Sequence, residues 1–179
     1  MTHSSRDGSA DGNARTVELH LLRHAHAGDP LAWRGDDADR PLSDRGRRQT
    51  QRLARFLEGI GFRPDAVISS PKVRARQTAE GVAERLRVPV RLDYRLGQDI
   101  DLDDVETILA TAGDPRHPLL VGHDPAFSEL VAALTGLGWF SFPKGALVRL
   151  DVHRPLEPGG GSIRWLVPPD LLKVEGERR

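Results

Sequence analysis

The apolar periodicity of this chain switches repeatedly between that of a strand and that of a helix, and this alternation restricts its fold more than any other feature. Val17 to Leu22 alternates apolar and polar residues and ends in an apolar pair, which reads as a strand. Ser43 then stands as an N-cap before Leu53, Phe56, Leu57 and Ile60, apolar at helical spacing, with Gly59 and Gly61 closing the helix. Ala66 to Ile68 is a short apolar run after Pro64. Ala75, Thr78, Ala79, Val82, Ala83 and Leu86 keep one face of a second helix. Pro89 to Leu92 predicts a third strand, and Leu102, Val105, Ile108 and Leu109 a third helix. Leu119 to Val121 is a strand of buried type. Asp124 and Pro125 read as N-cap and first residue of a helix carrying Phe127, Leu130, Val131 and Leu134. Two late strands are expected around Ala146 to Val152 and Ile163 to Leu166, joined by the turn-rich Pro155 to Gly161.

Strand and helix repeated four times, then two strands, predicts an α/β fold: a three-layer α/β/α sandwich with a mostly parallel central sheet. With 179 residues the chain suits one domain, expected over 16–173. Residues 1–15 are polar and Gly/Ser-rich, which predicts a disordered tail, and 174–179 a frayed end. That tail has no apolar stretch to act as a signal peptide or anchor. No segment approaches the roughly 20 apolar residues of a membrane span. The expectation is a cytoplasmic protein with no membrane partner. Nothing in the sequence marks an oligomeric state.

In a sheet of this kind ligands bind beyond the carboxyl ends of the strands. Three of those ends carry unusual polar residues. Leu22 is followed by Arg23-His24-Ala25-His26, Ile68 by a segment containing Ser69, Ser70, Lys72, Arg74 and Arg76, and Val121 by Gly122-His123-Asp124. Right-handed crossovers bring these ends to one edge. Two histidines and at least two arginines then converge. Several forked cations suit an anion with three oxygens, such as a phosphoryl group. A neutral imidazole is a competent nucleophile for it, and a second, protonated histidine would stabilise its oxygens. The chain has no cysteine, which excludes a thiol nucleophile, a disulfide framework and Cys-based metal centres. The arginines supply positive charge, so no metal or other cofactor is called for. A competing reading makes His24 and His26 metal ligands, completed by Asp29 and His123, but the neighbouring arginines would repel a cation.

With these residues on the page, a resemblance emerges. Leu21-Leu22-Arg23-His24-Ala25 resembles the signature of the histidine phosphatase superfamily, with its phosphoglycerate-mutase-like fold, where the usual form is Arg-His-Gly. Ser70-Pro71, Arg74-Ala75 and Gln77-Thr78-Ala79 resemble its second motif, and Val121-Gly122-His123 its third. Arg40-Pro41-Leu42-Ser43 with Gly46, and the closing Pro168-Pro169-Asp170-Leu171, resemble the SixA-like branch of phosphohistidine phosphatases. The resemblance implies His24 as nucleophile, forming a phosphohistidine intermediate, and Arg23, Arg74 and His123 as groups holding the phosphoryl oxygens. It implies lesser, substrate-binding roles for Arg40 and, at the pocket rim, His26. It implies as substrate a phosphorylated protein or a small phosphorylated metabolite. The alternatives on the same residues are a broad-specificity small-molecule phosphomonoesterase and a catalytically weak phosphate-binding or phosphoprotein-binding module.

One departure is informative. Relatives of the mutase type place a Glu after the third strand, where Gln98 stands here. Glutamine cannot act as a general acid, and an alkoxide leaving group needs one more than a phosphoramidate does. Asp99 and Asp101 are candidate substitutes, set against the plainer reading of a surface acidic loop. His20, His117 and His153 read as strand-edge or loop residues, Ser69 and Ser70 as strand end and helix N-cap, and Trp33 and Phe140 as candidates for the mouth. Arg45, Arg47, Arg48, Arg52 and Arg55 read as a solvated helix face.

Lys+Arg and Asp+Glu number 26 each, which argues against a nucleic-acid partner. The neutrality is a cancellation: residues 45–87 hold 11 Lys/Arg and 4 Asp/Glu, and residues 93–129 hold 2 Arg and 9 Asp/Glu. The acidic block is expected to discourage polyanions on one side of the mouth.

Overall fold

The computed structural model describes residues 15–173. The expected tail and frayed end lie outside them, except Arg15, which is the first residue of a strand. The strands are β1 (Arg15–Arg23), β2 (Ala66–Ser69), β3 (Val90–Leu92), β4 (Pro118–Gly122), β5 (Leu147–Arg154) and β6 (Gly161–Val167). The α-helices are α1 (Asp44–Gly59), α2 (Val73–Leu86), α3 (Leu102–Thr111) and α4 (Ala126–Thr135). All six strands form one sheet in the order β3-β2-β4-β1-β5-β6. The pairs from β3 to β1 are parallel and the two involving β5 are antiparallel. The fold is thus the α/β class the alternation predicts, and the sheet is mixed.

The side-chain parity of β1 sets the layers. Val17, Leu19 and Leu21 point to one face and pack with Val105, Ile108 and Leu109 of α3 and Phe127, Leu130 and Leu134 of α4. Leu22 points to the other and packs with Leu53 and Leu57 of α1 and Ala75, Ala79 and Val82 of α2. A buried sheet with helices on both faces explains why the central strands read as continuous apolar runs. His20 is a correction to the sequence reading. It is 1% exposed, lies on the α1/α2 face and meets the rings of Phe62 and Trp165 at 4.7 and 5.6 Å. Burial pushes it down to about 4, so it is a neutral core histidine.

Register places the site. Leu22 of β1 and Ser69 of β2 both pair with Val121 of β4. The ladder runs one step further through His24 N–H to the Gly122 carbonyl and Ser70 N–H to the Val121 carbonyl. The chain therefore releases Arg23-His24, Ser70 and His123 at one level of one edge.

Two helix starts differ from expectation. Helix α1 begins after Ser43, whose hydroxyl accepts from Gly46 N–H as an N-cap should. Helix α4, by contrast, begins at Ala126, with Pro125 at its N-cap. The Asp124 carboxylate is engaged instead by Arg23, at 3.5 Å, and by the Ser128 hydroxyl. Ser70 does not cap α2 either; Lys72 holds that position, and the Ser70 hydroxyl is used elsewhere. Among the described residues no helix is long and apolar enough to cross a membrane.

Candidate active site

His24 is 5% exposed and sits directly beyond β1. Its Nδ1 lies 2.7 Å from the carbonyl oxygen of Ala25. A carbonyl only accepts, so Nδ1 carries the proton and Nε2 keeps its lone pair. Burial, followed by the charges of Arg74, Arg23 and Lys144, pushes His24 down to about 3. The ring is neutral at physiological pH, with the lone pair of Nε2 available. Ala25, in place of the usual glycine, is accommodated: it is buried and its N–H donates to Thr78 Oγ1.

His123 stands opposite, its ring centroid 5.1 Å from that of His24. Its Nε2 is 2.8 Å from Ser70 Oγ; with that hydroxyl accepting from Lys72 N–H and donating to Nε2, the proton of the neutral ring sits on Nδ1. The two contacts use the Ser70 hydroxyl to orient the His123 ring. Burial, then His24, Arg74 and Lys72, push His123 down to about 2. In the unliganded site it is therefore neutral, not the imidazolium the sequence reading expected; the neighbouring cations and the loss of water both disfavour a further charge.

Arg74 leaves the first turn of α2 and is 6% exposed. Its Nη1 donates to the Asp37 carbonyl and its Nη2 to Asp37 Oδ2, at 2.5 and 2.8 Å. The other carboxylate oxygen of Asp37 accepts from Arg40 Nε at 2.8 Å. Arg40 Nη1 donates to the carbonyl of Ala27 at 2.8 Å. Asp37 thus bridges two arginines and ties the 28–40 loop to α2. Arg40 works from behind Arg74. Arg23 reaches the Phe142 carbonyl through Nη1 and pairs with Asp124.

Five buried side-chain nitrogens or oxygens lack a protein partner among the described residues, and three of them are Arg23 Nε, Arg74 Nε and His123 Nδ1. Buried polar groups are rarely left this way. Their gathering around a neutral His24 is what an anion-binding pocket requires. Lys144, which the sequence reading missed, adds a third cation to Arg23 and Arg74. Gly145 N–H donates to the carbonyls of Arg23 and His24, at 3.1 and 3.0 Å, so the residue before it is pinned beside the nucleophile. Burial and then Arg23, Arg40 and Arg74 hold its ammonium below the usual lysine range.

The motif residues around these groups are brackets. Gln77 Oε1 accepts from Leu42 N–H, and Gln49 Oε1 from His26 N–H. His26 Nδ1 lies 2.7 Å from Ser43 Oγ, and the His26 carbonyl accepts from Ser43 N–H. His26 is thereby occupied in joining the loop after β1 to the start of α1. Two clefts flank the centre. One, of about 320 Å³, opens by Arg23 and is lined by Asp124, Ser128, Trp139 and Phe140. Phe140 is at this mouth as expected; Trp33 instead bonds the Asp36 carbonyl within its own loop. The other cleft lies beside His123 and is lined by Lys72, Gln98, Asp99 and Asp124. Of the two acids considered in place of a glutamate, Asp99 lies in it. Asp101 caps α3 in a reciprocal capping box with Asp104.

The sequence profile described as histidine phosphatase superfamily (branch 1) matches residues 19–136. The chain belongs to the histidine phosphatase superfamily. As a member of that superfamily it is a phosphatase, a hydrolase acting on phosphoryl groups. Phosphohistidine phosphatase SixA of Escherichia coli is 28% identical over 164 residues, covering 88% of this chain and 98% of that protein. The solved structure of the protein histidine phosphatase SixA with tungstate superposes with a TM-score of 0.75 at 27% identity, over 88% of this chain and all of that one. An uncharacterised chloroplastic protein of Arabidopsis thaliana is 40% identical over 171 residues, covering 85% of this chain and 78% of that protein. Against two further curated relatives the match spans less than half of the relative's own length. The superfamily's three motifs are the same three strand ends that the sheet brings together here, and the overall likeness is to the SixA-like branch.

Proposed function

We propose that this phosphatase works through a phosphohistidine intermediate on His24 and removes the phosphoryl group from phosphohistidine on a protein. His24 Nε2 attacks phosphorus in line. The new N–P bond forms as the bond to the leaving imidazole breaks, and that imidazole leaves neutral, keeping the proton its other ring nitrogen already carried. Water then attacks the same phosphorus, the His24–P bond breaks, and inorganic phosphate leaves with His24 restored. Arg23, Arg74 and the neutral His123 donate to the phosphoryl oxygens throughout, which gives the transition state its charge balance without a metal.

The observation that carries this reading is the set of three unpartnered buried donors, Arg23 Nε, Arg74 Nε and His123 Nδ1, beside an imidazole whose free nitrogen is Nε2. The phosphoramidate preference is supported by Gln98, an amide where an acid would serve an alkoxide leaving group. The SixA relative, by its name, is a phosphohistidine phosphatase. Asp99 in the same cleft favours a second reading, a phosphomonoesterase with that carboxyl as acid.

A substrate panel in excess EDTA tests both. Phosphohistidine peptide should be turned over faster than sugar or nucleotide phosphates, an aryl phosphate should be hydrolysed despite chelation, and His24→Ala should abolish both activities. Equal or better turnover of sugar phosphates, lost in Asp99→Asn, would establish the monoesterase instead. Loss of activity on chelation would sink the metal-free mechanism. Retained phosphate binding without turnover would leave only a binding module.

A further inference from the structure

The arginine run of α1, read from sequence as a solvated face, is not a uniform surface. Arg45, Arg48 and Arg52 share one stripe, three and four residues apart, and with Gln49, Pro169 and Lys173 they line a cleft of about 210 Å³ between α1 and the 3-10 helix Pro169–Leu172. Arg45 and Arg48 are exposed, and among the described residues neither has a carboxylate within ion-pair distance. Other surface arginines are treated differently: Arg47 pairs with Asp44, Arg85 with Glu58, and Arg154 with Glu106 and Asp114.

Gln49 connects this cleft to the loop after β1. Gln49, on its floor, accepts from His26 N–H and lies 3.5 Å from where a side chain on Gly145 would begin. The charges of Arg45 and Lys144 both act on His26, and Arg45 also acts on Lys144. Lys144 thus lies within electrostatic reach of both Arg23 and Arg74 in the centre and Arg45 in the cleft. The opposite side of the mouth is acidic, with Asp99 and Asp124 in the cleft and Asp101, Asp103 and Asp104 in the first turn of α3. A mouth with one cationic and one anionic wall is oriented.

Resting on the phosphatase reading above, we propose that the Arg45/Arg48 cleft is a docking subsite for an acidic polypeptide surface flanking the phosphorylated residue of a protein substrate. Charge complementarity names the occupant. The stripe from Arg45 to Arg52 extends about 10 Å along the helix, a line of cations that suits successive carboxylates on a protein better than a single small anion. The acidic wall sets which way round that partner sits.

Binding of a fluorescein-labelled Asp/Glu-rich peptide, followed by anisotropy, tests the subsite separately from the chemistry. The comparison is between the wild-type chain and the double variant Arg45→Glu/Arg48→Glu. The acidic peptide is expected to bind the wild type at least tenfold more tightly than a Lys-rich one at low salt, with the difference shrinking as salt rises. The double variant should lose at least tenfold in that affinity while keeping kcat/KM for an aryl phosphate within about threefold of wild type. Unchanged peptide affinity in the double variant overturns the proposal. So does full displacement of the peptide by a small bisphosphate at equal charge concentration, which would make the cleft a metabolite subsite. Peptide binding that is lost in the variant, from a chain that hydrolyses no phosphate, would overturn the catalytic reading and leave the docking site standing.

Discussion

His24 Nδ1 is 2.7 Å from the carbonyl oxygen of the next residue, Ala25. In the proposed mechanism this one contact selects the nitrogen that reacts. The backbone carbonyl holds the proton on Nδ1 and turns Nε2 toward the donors of Arg23, Arg74 and His123. Phosphoenzyme trapped by alkaline quench, under which the N–P bond survives, is expected to carry phosphorus on Nε2 alone. Phosphorus-31 NMR separates the two isomers, and an Nδ1 adduct would contradict the geometry. His24→Ala should lower turnover by at least about a thousandfold and leave no trapped phosphoenzyme.

The pH dependence of activity follows from the same burial. An ordinary histidine begins to protonate near 6.5, whereas His24 is pushed down to about 3 and His123 to about 2. Neither is silenced by mild acid. The acid limb of kcat/KM for an aryl phosphate is expected below about pH 5, in contrast to the limb near 6.5 of an unperturbed nucleophilic histidine. A half-maximal point at 6.5 in the wild type would show that the pocket does not depress its nucleophile.

His20 makes a separate contribution to stability. Its folded value of about 4 lies below the unfolded value of 6.5. Between those values the unfolded chain binds a proton that the folded chain refuses, so its stabilising contribution is complete above 6.5 and is lost as pH falls toward 4. The loss is at most about 3 kcal/mol. His20→Gln, which can still donate to the Pro118 carbonyl that His20 Nδ1 now bonds at 3.2 Å, should flatten this part of the Tm-against-pH curve. The slope contributed by His24 and His123 remains. An identical slope in the variant would mean that His20 is protonated in the fold.

Asp37 acts through Arg74. Asp37→Ala removes the carboxylate contact to Arg74 Nη2 and the partner of Arg40 Nε, and leaves Arg74 Nη1 on the backbone carbonyl. KM for an aryl phosphate should rise by about three- to tenfold, with a smaller change in kcat, since the charge of Arg74 remains but its fork wanders. Arg74→Lys, which keeps charge and loses the fork, should cost about a hundredfold in kcat/KM. A tighter KM in Asp37→Ala would instead mark the carboxylate as a competitor of the phosphoryl group.

Gly46 and Gly59 of α1 form a matched test of packing. A side chain on Gly46 would begin 2.0 Å from the His26 carbonyl oxygen, while one on Gly59 meets nothing within 4 Å. Gly46→Ala is expected to destabilise by about 2 kcal/mol or more and to lower activity by moving the loop after β1. Gly59→Ala should be neutral or stabilise by up to about 1 kcal/mol. Denaturant unfolding of the two variants checks both, and equal stability would show that α1 does not rest on His26.

Local sequence was enough for the layers, the strand ends and the Ser43 cap, because each depends on residues a few positions apart. Ser43 capping α1 and the apolar parity of β1 are of this kind. The convergence of Arg23, His24, Arg74 and His123 was legible too, since each ends a strand, follows one or opens the next helix. The rest depends on residues far apart in the chain. Asp37 and Arg74 are 37 residues apart, Ser70 and His123 are 53 apart, and Lys144 reaches the site only because β5 lies beside β1. No local pattern predicts those meetings. Asp124 and Ser70 fit helix caps by sequence, but a guanidinium and an imidazole in the folded chain are nearer partners for them. Protonation follows the same division: the sequence supplies the histidines, and only tertiary burial next to arginines makes them neutral, because the charged form loses water and meets like charge at once.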